Sequence, residues 1–265
     1  MPTLVTDKPF VTVPPAPQNA IDIFAGEWSS RFPSGAAVTT GGTAGLFEDA
    51  RLQWADAGLR GLGAPGFADQ AVLELGPLEG GHSYMLDRMG AREVVAVEAN
   101  ARAYLKCLVA KEILDMNRVH FLLGDGVAYL RSADRAFGAG LASGFLYHMI
   151  DPVEVIALMA RCCRQIYIWT MVYHPSLFVC QPALVDRFGS GRESVHAGFR
   201  HTLYPHYYGE GIDYGKFFGG VEPTCCWMTS ADIIGAVRHF GFERMVTAEE
   251  DHLYGKALSI AATKP

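Results

Sequence analysis

The sequence predicts an α/β fold in which a parallel sheet is covered by helices on both faces. Three observations carry this. From residue 71 to residue 172, short aliphatic runs alternate with stretches of helical period, the pattern of βαβ units. The first run, "AVLEL", passes straight into the glycine-rich turn "GPLEGG" and then a helix. "DPVEVIALMARCC" carries a complete helix start, with Asp151 as N-cap, Pro152 at the first position and Glu154 three residues after the cap.

The elements follow in order. Residues 1 to about 20 are proline-rich and aperiodic, and are expected as an extended arm. "TAGLFEDARLQWADAGLRGLG" reads as a helix closed by Gly61 and Gly63, with Leu46, Trp54 and Leu59 near helical spacing. After "AVLEL", the segment "GGHSYMLDRMG" is a helix ending at Gly90. "EVVAVEA" and "VHFLLGD" are strands separated by the helix "ARAYLKCLVAKEIL". A short helix at "GVAYLRSA", a strand at "AGLASGF", the helix from Asp151 and a strand at "QIYIWTMVY" complete the alternation. Residues 174–228 break the rhythm. They are rich in Gly, Tyr, Phe and His without a long period, as expected of an irregular lid or binding insertion. "TSADIIGAVRHFGF" restores a helix capped by Thr229 or Ser230 and ended by Gly241, and "FERMVTAEE" and "KALSIAATK" are closing strands. Residues 1–60 thus form an arm and helix, and 61–265 one α/β domain carrying the insertion.

Composition excludes some function classes. A net charge of −6 without a basic cluster argues against nucleic acid as the main partner. The N-terminus lacks a basic segment followed by an apolar one, and no window reaches a membrane span, so a cytoplasmic setting is expected. The six cysteines, Cys107, Cys162, Cys163, Cys180, Cys225 and Cys226, include two vicinal pairs but no C-x-x-C, and are expected as reduced thiols. His196, His201 and His206 recur every five residues, a spacing that shares no helix face, so no metal site is expected.

The glycine turn raises the question of its ligand. Its glycines, Gly76, Gly80 and Gly81, do not match G-x-G-x-x-G, and Gly81-His82-Ser83 lacks the lysine of a phosphate-binding loop. Glu79 would repel a pyrophosphate at the helix start. An adenosyl ligand without phosphates, S-adenosylmethionine, fits better. Glu74 at the strand end can hold its ammonium, Glu98 about one βα unit later can accept the ribose hydroxyls, and Asp125 can take the adenine amino group. In an open parallel sheet these three ends share the ligand-binding edge. Glu79 is expected to point to solvent or to tether the arm.

"VLELGPLEGG", "VVAVEAN", "LLGDG" and "ASGFLYHMIDP" resemble, in this order, motifs of the class I S-adenosylmethionine-dependent methyltransferases, over about residues 70 to 172. The last motif is similar to bacterial small-molecule methyltransferases and to relatives of the tRNA wobble-uridine carboxymethyl-transferring enzyme. The resemblance implies a Rossmann-like seven-stranded sheet in order 3-2-1-4-5-7-6 with an antiparallel last strand. It also implies a cofactor lying along Glu74, Gly76, Leu78, Gly80, Glu98, Ala99, Asp125, Gly126, Ser143 and Tyr147.

His148, following the fourth strand, is the first candidate base, with packing as its alternative role. Tyr173 and His174 end the fifth strand on the same edge. Trp28, Arg31, Tyr208, Glu210 and Tyr214 are candidate substrate contacts: aromatics that stack on a ring, an arginine for an anionic group, and a carboxylate for hydroxyls. The first reading is methylation of a small polar acceptor, O-methylation of a sugar or glycan end. A tRNA-modifying enzyme and a non-catalytic cofactor-binding subunit are the alternatives. Oligomeric state is open.

Overall fold

The computed structural model describes residues 10–180, 182–208, 222–252 and 255–265. Strands β1 (Ala71–Leu75), β2 (Glu93–Glu98), β3 (Val119–Leu123), β4 (Phe137–Ser143) and β5 (Cys163–Val172) are joined by helices α3 (Gly81–Arg88), α4 (Ala101–Ile113), α5 (Gly126–Ser132) and α6 (Pro152–Cys162). These five strands pair in parallel. β10 (Gly255–Thr263) runs antiparallel to β5 and to β9 (Arg244–His252), giving the order β3-β2-β1-β4-β5-β10-β9. This is the predicted 3-2-1-4-5-7-6 sheet. The central strands are apolar throughout because both faces are covered: β1 and most of β2 and β5 are buried end to end.

Each face has its own core. On one, α1 (Pro17–Asp22), α2 (Ala50–Gly61), α3 and α4 pack Ile21, Phe24, Trp28, Leu52, Leu59, Leu86 and Cys107 over Val72, Val94 and Ala261. On the other, α5, α6 and α8 (Ser230–His239) cover Leu73, Leu75, Ile166 and Ile260 with Leu130, Ile156, Met159 and Val237. The predicted arm is therefore helical from Pro17, and its later residues belong to the first core. Proline at the helix start supplies the pre-set φ that a short helix needs.

Within 174–228, where the sequence shows no long period, α7 (Leu177–Cys180) precedes an antiparallel sheet of β6 (Arg192–His196), β7 (Phe199–Tyr207) and β8 (Thr224–Trp227). Ala197 and Gly198, both at positive φ, turn β6 into β7. The strands are hard to recognise because both faces of β7 carry mixed aromatics and histidines in place of clean alternation. This sheet docks on the main one: the Tyr173 amide donates to the Met228 carbonyl, and the Cys226 amide to that of Met149. No described helix is long and apolar enough to cross a membrane.

Candidate functional site

The glycine turn is shaped by positive φ at Gly76, Leu78 and Gly80, the last being the N-cap of α3. A leucine at φ 57° is unusual and costs energy. Its amide is thereby aimed at Glu98, whose Oε2 accepts it at 3.0 Å while Oε1 accepts the Asn100 amide at 2.8 Å. Burial raises the Glu98 carboxyl against these amides. Gly81 is required for a different reason: a Cβ there would lie 2.7 Å from the backbone of Leu46, so the segment before α2 presses directly on the start of α3.

Glu74, the penultimate residue of β1, lies behind this turn, 2% exposed, with the Ser83 hydroxyl as its hydrogen-bond donor. Burial pushes its carboxyl up to about 7 against the pull of His82 and Ser83. Asp125 stands past β3 as the N-cap of α5, accepting the Ala128 amide at 2.6 Å. Gly126 is buried beneath the Phe145 ring, which also lies against Gly76. Ala99 is exposed beside Glu98, and Ser143 closes β4. The cofactor-side residues predicted from β1 to β4 therefore share the carboxyl edge of the sheet.

Glu79 is not at the surface. It is fully buried, accepts the Ser29 and Ser30 amides at 2.9 and 2.8 Å, and pairs with Lys106 of α4 at 2.6 Å. Of the two predicted fates, tethering is the one observed. The turn thus clamps the N-terminal segment on one side and α4 on the other.

Sequence reasoning missed a second set of groups. Asp49 caps α2 and binds both Arg51, at 2.6 Å, and His82 in the first turn of α3, at 2.9 Å. Burial would raise the Asp49 carboxyl, but hydrogen bonds from His82 and Arg51 outweigh it and hold it far below the usual range. The Arg51 guanidinium lies 4.4 Å from the ring centre of Trp169, whose indole nitrogen donates to Glu250 at 2.8 Å. Trp169 meets Tyr147 edge-on, and Tyr147 contacts His148. An acidic N-cap two residues before an arginine was the available signal at Asp49 and Arg51; their meeting with Trp169, far along the chain, had none.

His148 lies in a 3₁₀ turn, Leu146–His148, and its Nδ1 is 2.6 Å from the hydroxyl of Tyr208. Burial, aided by His206, holds its imidazole down at about 3, so the ring is neutral near pH 7. Burial likewise raises the phenols of Tyr147 and Tyr208.

Several predicted residues lie elsewhere. Trp28 is buried in a file of rings from Phe24 through Phe32 and Phe47 to Tyr84, and its indole donates to the Ile21 carbonyl. It packs instead of lining a substrate wall, because an arm this aromatic gains more from burial than from exposure. Arg31 donates to the Thr43 carbonyl within its own segment, at 2.8 Å. Tyr173 stacks on Tyr204 at 3.5 Å, and exposed His174 pairs with Ser176. Both line a separate cleft of about 350 Å³ with Thr229, Ser230 and Glu249. Phe188 and Trp227 stand between Tyr173 and Tyr147, so the structure does not bring Tyr173 and His174 to His148. Glu210 and Tyr214 fall outside the described residues. The three evenly spaced histidines disperse: His196 pairs with Asp151, His201 with the Phe199 carbonyl and His206 with Cys225.

No protein-family model matches the sequence, and no curated protein matches it. Solved structures match in fold. The N-terminal domain of EvdMO1, in the presence of SAH and D-fucose, is 17% identical with a TM-score of 0.67, over 93% of this chain and 94% of that one. Magnesium protoporphyrin IX methyltransferase (ChlM) from Synechocystis PCC 6803, with bound SAH, is 16% identical with a TM-score of 0.55, over 82% and 81%. An S-adenosylmethionine dependent methyltransferase from Mesorhizobium loti is 13% identical with a TM-score of 0.55, over 83% and 100%. With the sheet order above, these likenesses establish that the chain has the Rossmann-like fold of class I S-adenosylmethionine-dependent methyltransferases.

Proposed function

We propose that the protein is an S-adenosylmethionine-dependent methyltransferase acting on a small polar acceptor. A fold hosts many chemistries, so the site must carry the reading. The observation that carries it is Glu74. A carboxylate buried at the end of β1, with a single hydroxyl donor, is strongly disfavoured as a bare charge and calls for a cation beside it. The ammonium of the cofactor is such a cation. Glu98 retains acceptor capacity beyond the Leu78, Ala99 and Asn100 amides for the ribose hydroxyls. In this reading Asp125 and Phe145 meet the adenine, and Arg51, held by Asp49 over Trp169, meets the carboxylate of the methionyl end.

When bound, the cofactor supplies an electrophilic methyl carbon on a sulfonium. The chain supplies alignment and dryness. Its glycine turn lets the backbone approach, its acids fix the donor, and the wall of Trp169, Tyr147, Trp227 and Tyr208 limits the access of bulk water to the acceptor side. Tyr173 and His174, in their separate cleft, contact a distal part of the acceptor in this reading. The finer proposal is a sugar or glycan hydroxyl as acceptor. It is supported by the lack of a basic cluster and by the EvdMO1 domain having been crystallised with D-fucose. A cytoplasmic setting and a 61–265 catalytic unit belong to the same reading.

Calorimetry with S-adenosylmethionine tests it. Micromolar binding is expected, weakened at least about tenfold in Glu98→Ala, where two ribose hydrogen bonds are lost. Absence of binding to the wild-type chain refutes the proposal. A methyl-transfer screen over deoxyhexoses and other hydroxylated small molecules then tests the acceptor class.

A further inference from the structure

His148 is the side chain that position alone nominates as a base, but its surroundings specify a different role. A neutral imidazole has one N–H and one lone pair, and the partner of one nitrogen decides what the other presents. Here Nδ1 faces the Tyr208 hydroxyl at 2.6 Å. That separation is usual for an O–H donor and short for an N–H donor, whose preferred distance is about 2.9 Å. The chemistry agrees. Tyr208 also contacts the thiol of Cys225, a weak acceptor, whereas the imidazole lone pair is a strong one. Burial keeps Cys225 protonated by pushing its thiol up to about 12. Its sulfur lies 3.7 Å from His206 Nδ1, which offers that thiol a separate acceptor. The phenol proton of Tyr208 is thus best spent on His148.

We propose that Tyr208, a residue of the insertion, donates its hydroxyl proton to His148 Nδ1 and thereby fixes His148 as a neutral Nε2–H donor to the methyl acceptor. The proposal rests on the methyltransferase reading for the identity of the acceptor, while the tautomer itself does not. Tyr208 is then a positioning residue. His148 orients an acceptor oxygen by hydrogen bonding to one of its lone pairs, leaving another lone pair to attack. The new O–CH₃ bond forms as the C–S electron pair returns to sulfur. An acceptor proton, where there is one, leaves to water after transfer. Acceptors that arrive without a proton to lose, carboxylates above all, suit such a site as well as hydroxyls do. Among the described residues, the titratable groups facing the ring are Tyr147, Tyr208 and His206, with Cys225 behind Tyr208 and Arg187 acting on His206. None of these places an anion against it.

The test is ¹⁵N NMR of the full chain labelled at histidine, with the His148 signals assigned by their loss in His148→Gln. The two-bond proton–nitrogen correlations distinguish the tautomers without any ligand. The expected result near pH 7 is a single Nε2–H tautomer at His148. In Tyr208→Phe, folded by circular dichroism, the two tautomers should mix and protonation should move toward neutral pH. An Nδ1–H tautomer in the wild-type chain overturns the proposal, as does an unchanged His148 pattern in Tyr208→Phe. Calorimetry with SAH on the same samples keeps the two readings apart. Loss of SAH binding in the wild type would defeat the methyltransferase reading alone, and the wrong tautomer in a chain that binds SAH would defeat this one alone.

Discussion

Glu74 makes cofactor binding depend on pH in a way that the structure allows to be worked out. Its carboxyl is raised from 4.5 to about 7 because burial penalises the anion more than His82 and Ser83 favour it. An ammonium placed beside it reverses that balance, so binding should expel a proton. If only ionised Glu74 holds the ligand, affinity scales with the ionised fraction. That fraction is about 0.9 at pH 8 and about 0.1 at pH 6 for a group titrating near 7. The dissociation constant for S-adenosylmethionine should therefore weaken about tenfold over this range, about 1.4 kcal/mol. Calorimetry at pH 6, 7 and 8, in two buffers of different ionisation enthalpy, reads both the affinity and the proton released. Glu74→Gln isolates the effect from His82: its affinity should be weak and flat. The same group acts on the free protein with a definite sign. Its folded value is the higher one, so its stabilising contribution is full below about 4.5 and is lost as pH rises through about 7. The loss is of order 3 kcal/mol. A wild-type affinity equal at pH 6 and pH 8 within twofold, with no proton released, would refute this account of Glu74.

Other consequences concern different parts of the molecule. With an acceptor in hand, His148→Gln, which keeps a donor near the Nε2 position, should retain kcat within about tenfold, while His148→Phe should lose about 10²-fold or more; equal losses in both would favour a base, whose removal costs about 10²–10⁴. Glu79→Ala leaves Lys106 buried without its counter-ion and frees the Ser29 and Ser30 amides, so urea unfolding should show a loss of about 3–5 kcal/mol, partly regained by adding Lys106→Met. Gly81→Ala forces the backbone at Leu46 away from α3, and should lower stability by about 1–3 kcal/mol and weaken cofactor binding in the same sample. Trp28→Phe removes a buried indole with one hydrogen bond; its effect should appear in thermal stability and leave acceptor KM unchanged, and a changed KM would restore Trp28 to the substrate wall.

What the chain determines locally and what it does only when folded separate cleanly here. Glu74, Glu98 and Asp125 could be placed from sequence because each lies in or just past the last residues of an apolar strand, and strand ends in a parallel α/β sheet converge on one edge whatever the rest of the chain does. The Asp151 cap of α6 and the Thr229 cap of α8 were legible for the same reason: the donor and acceptor lie three residues apart. Glu79 was legible only as an anomaly. A charge in a glycine turn has no local explanation, and its partners, Ser29, Ser30 and Lys106, come from about fifty residues before it and twenty-seven after it. Arg51 reaches Trp169, and Tyr208 reaches His148, over still longer separations that no periodicity encodes. Tyr173 and His148 follow neighbouring strands and looked like one site. The aromatics of the insertion fill the space between them, and only packing could decide that. Strand and cap chemistry is short-range, so the chain of itself specifies the succession of strands and helices and the acidic edge, while the order of strands in the sheet came from the resemblance of its motifs. The tertiary structure alone decided which buried charges are paired, what His148 presents and where the acceptor wall stands, because those depend on side chains that meet only after the insertion and the N-terminal segment have closed over the sheet.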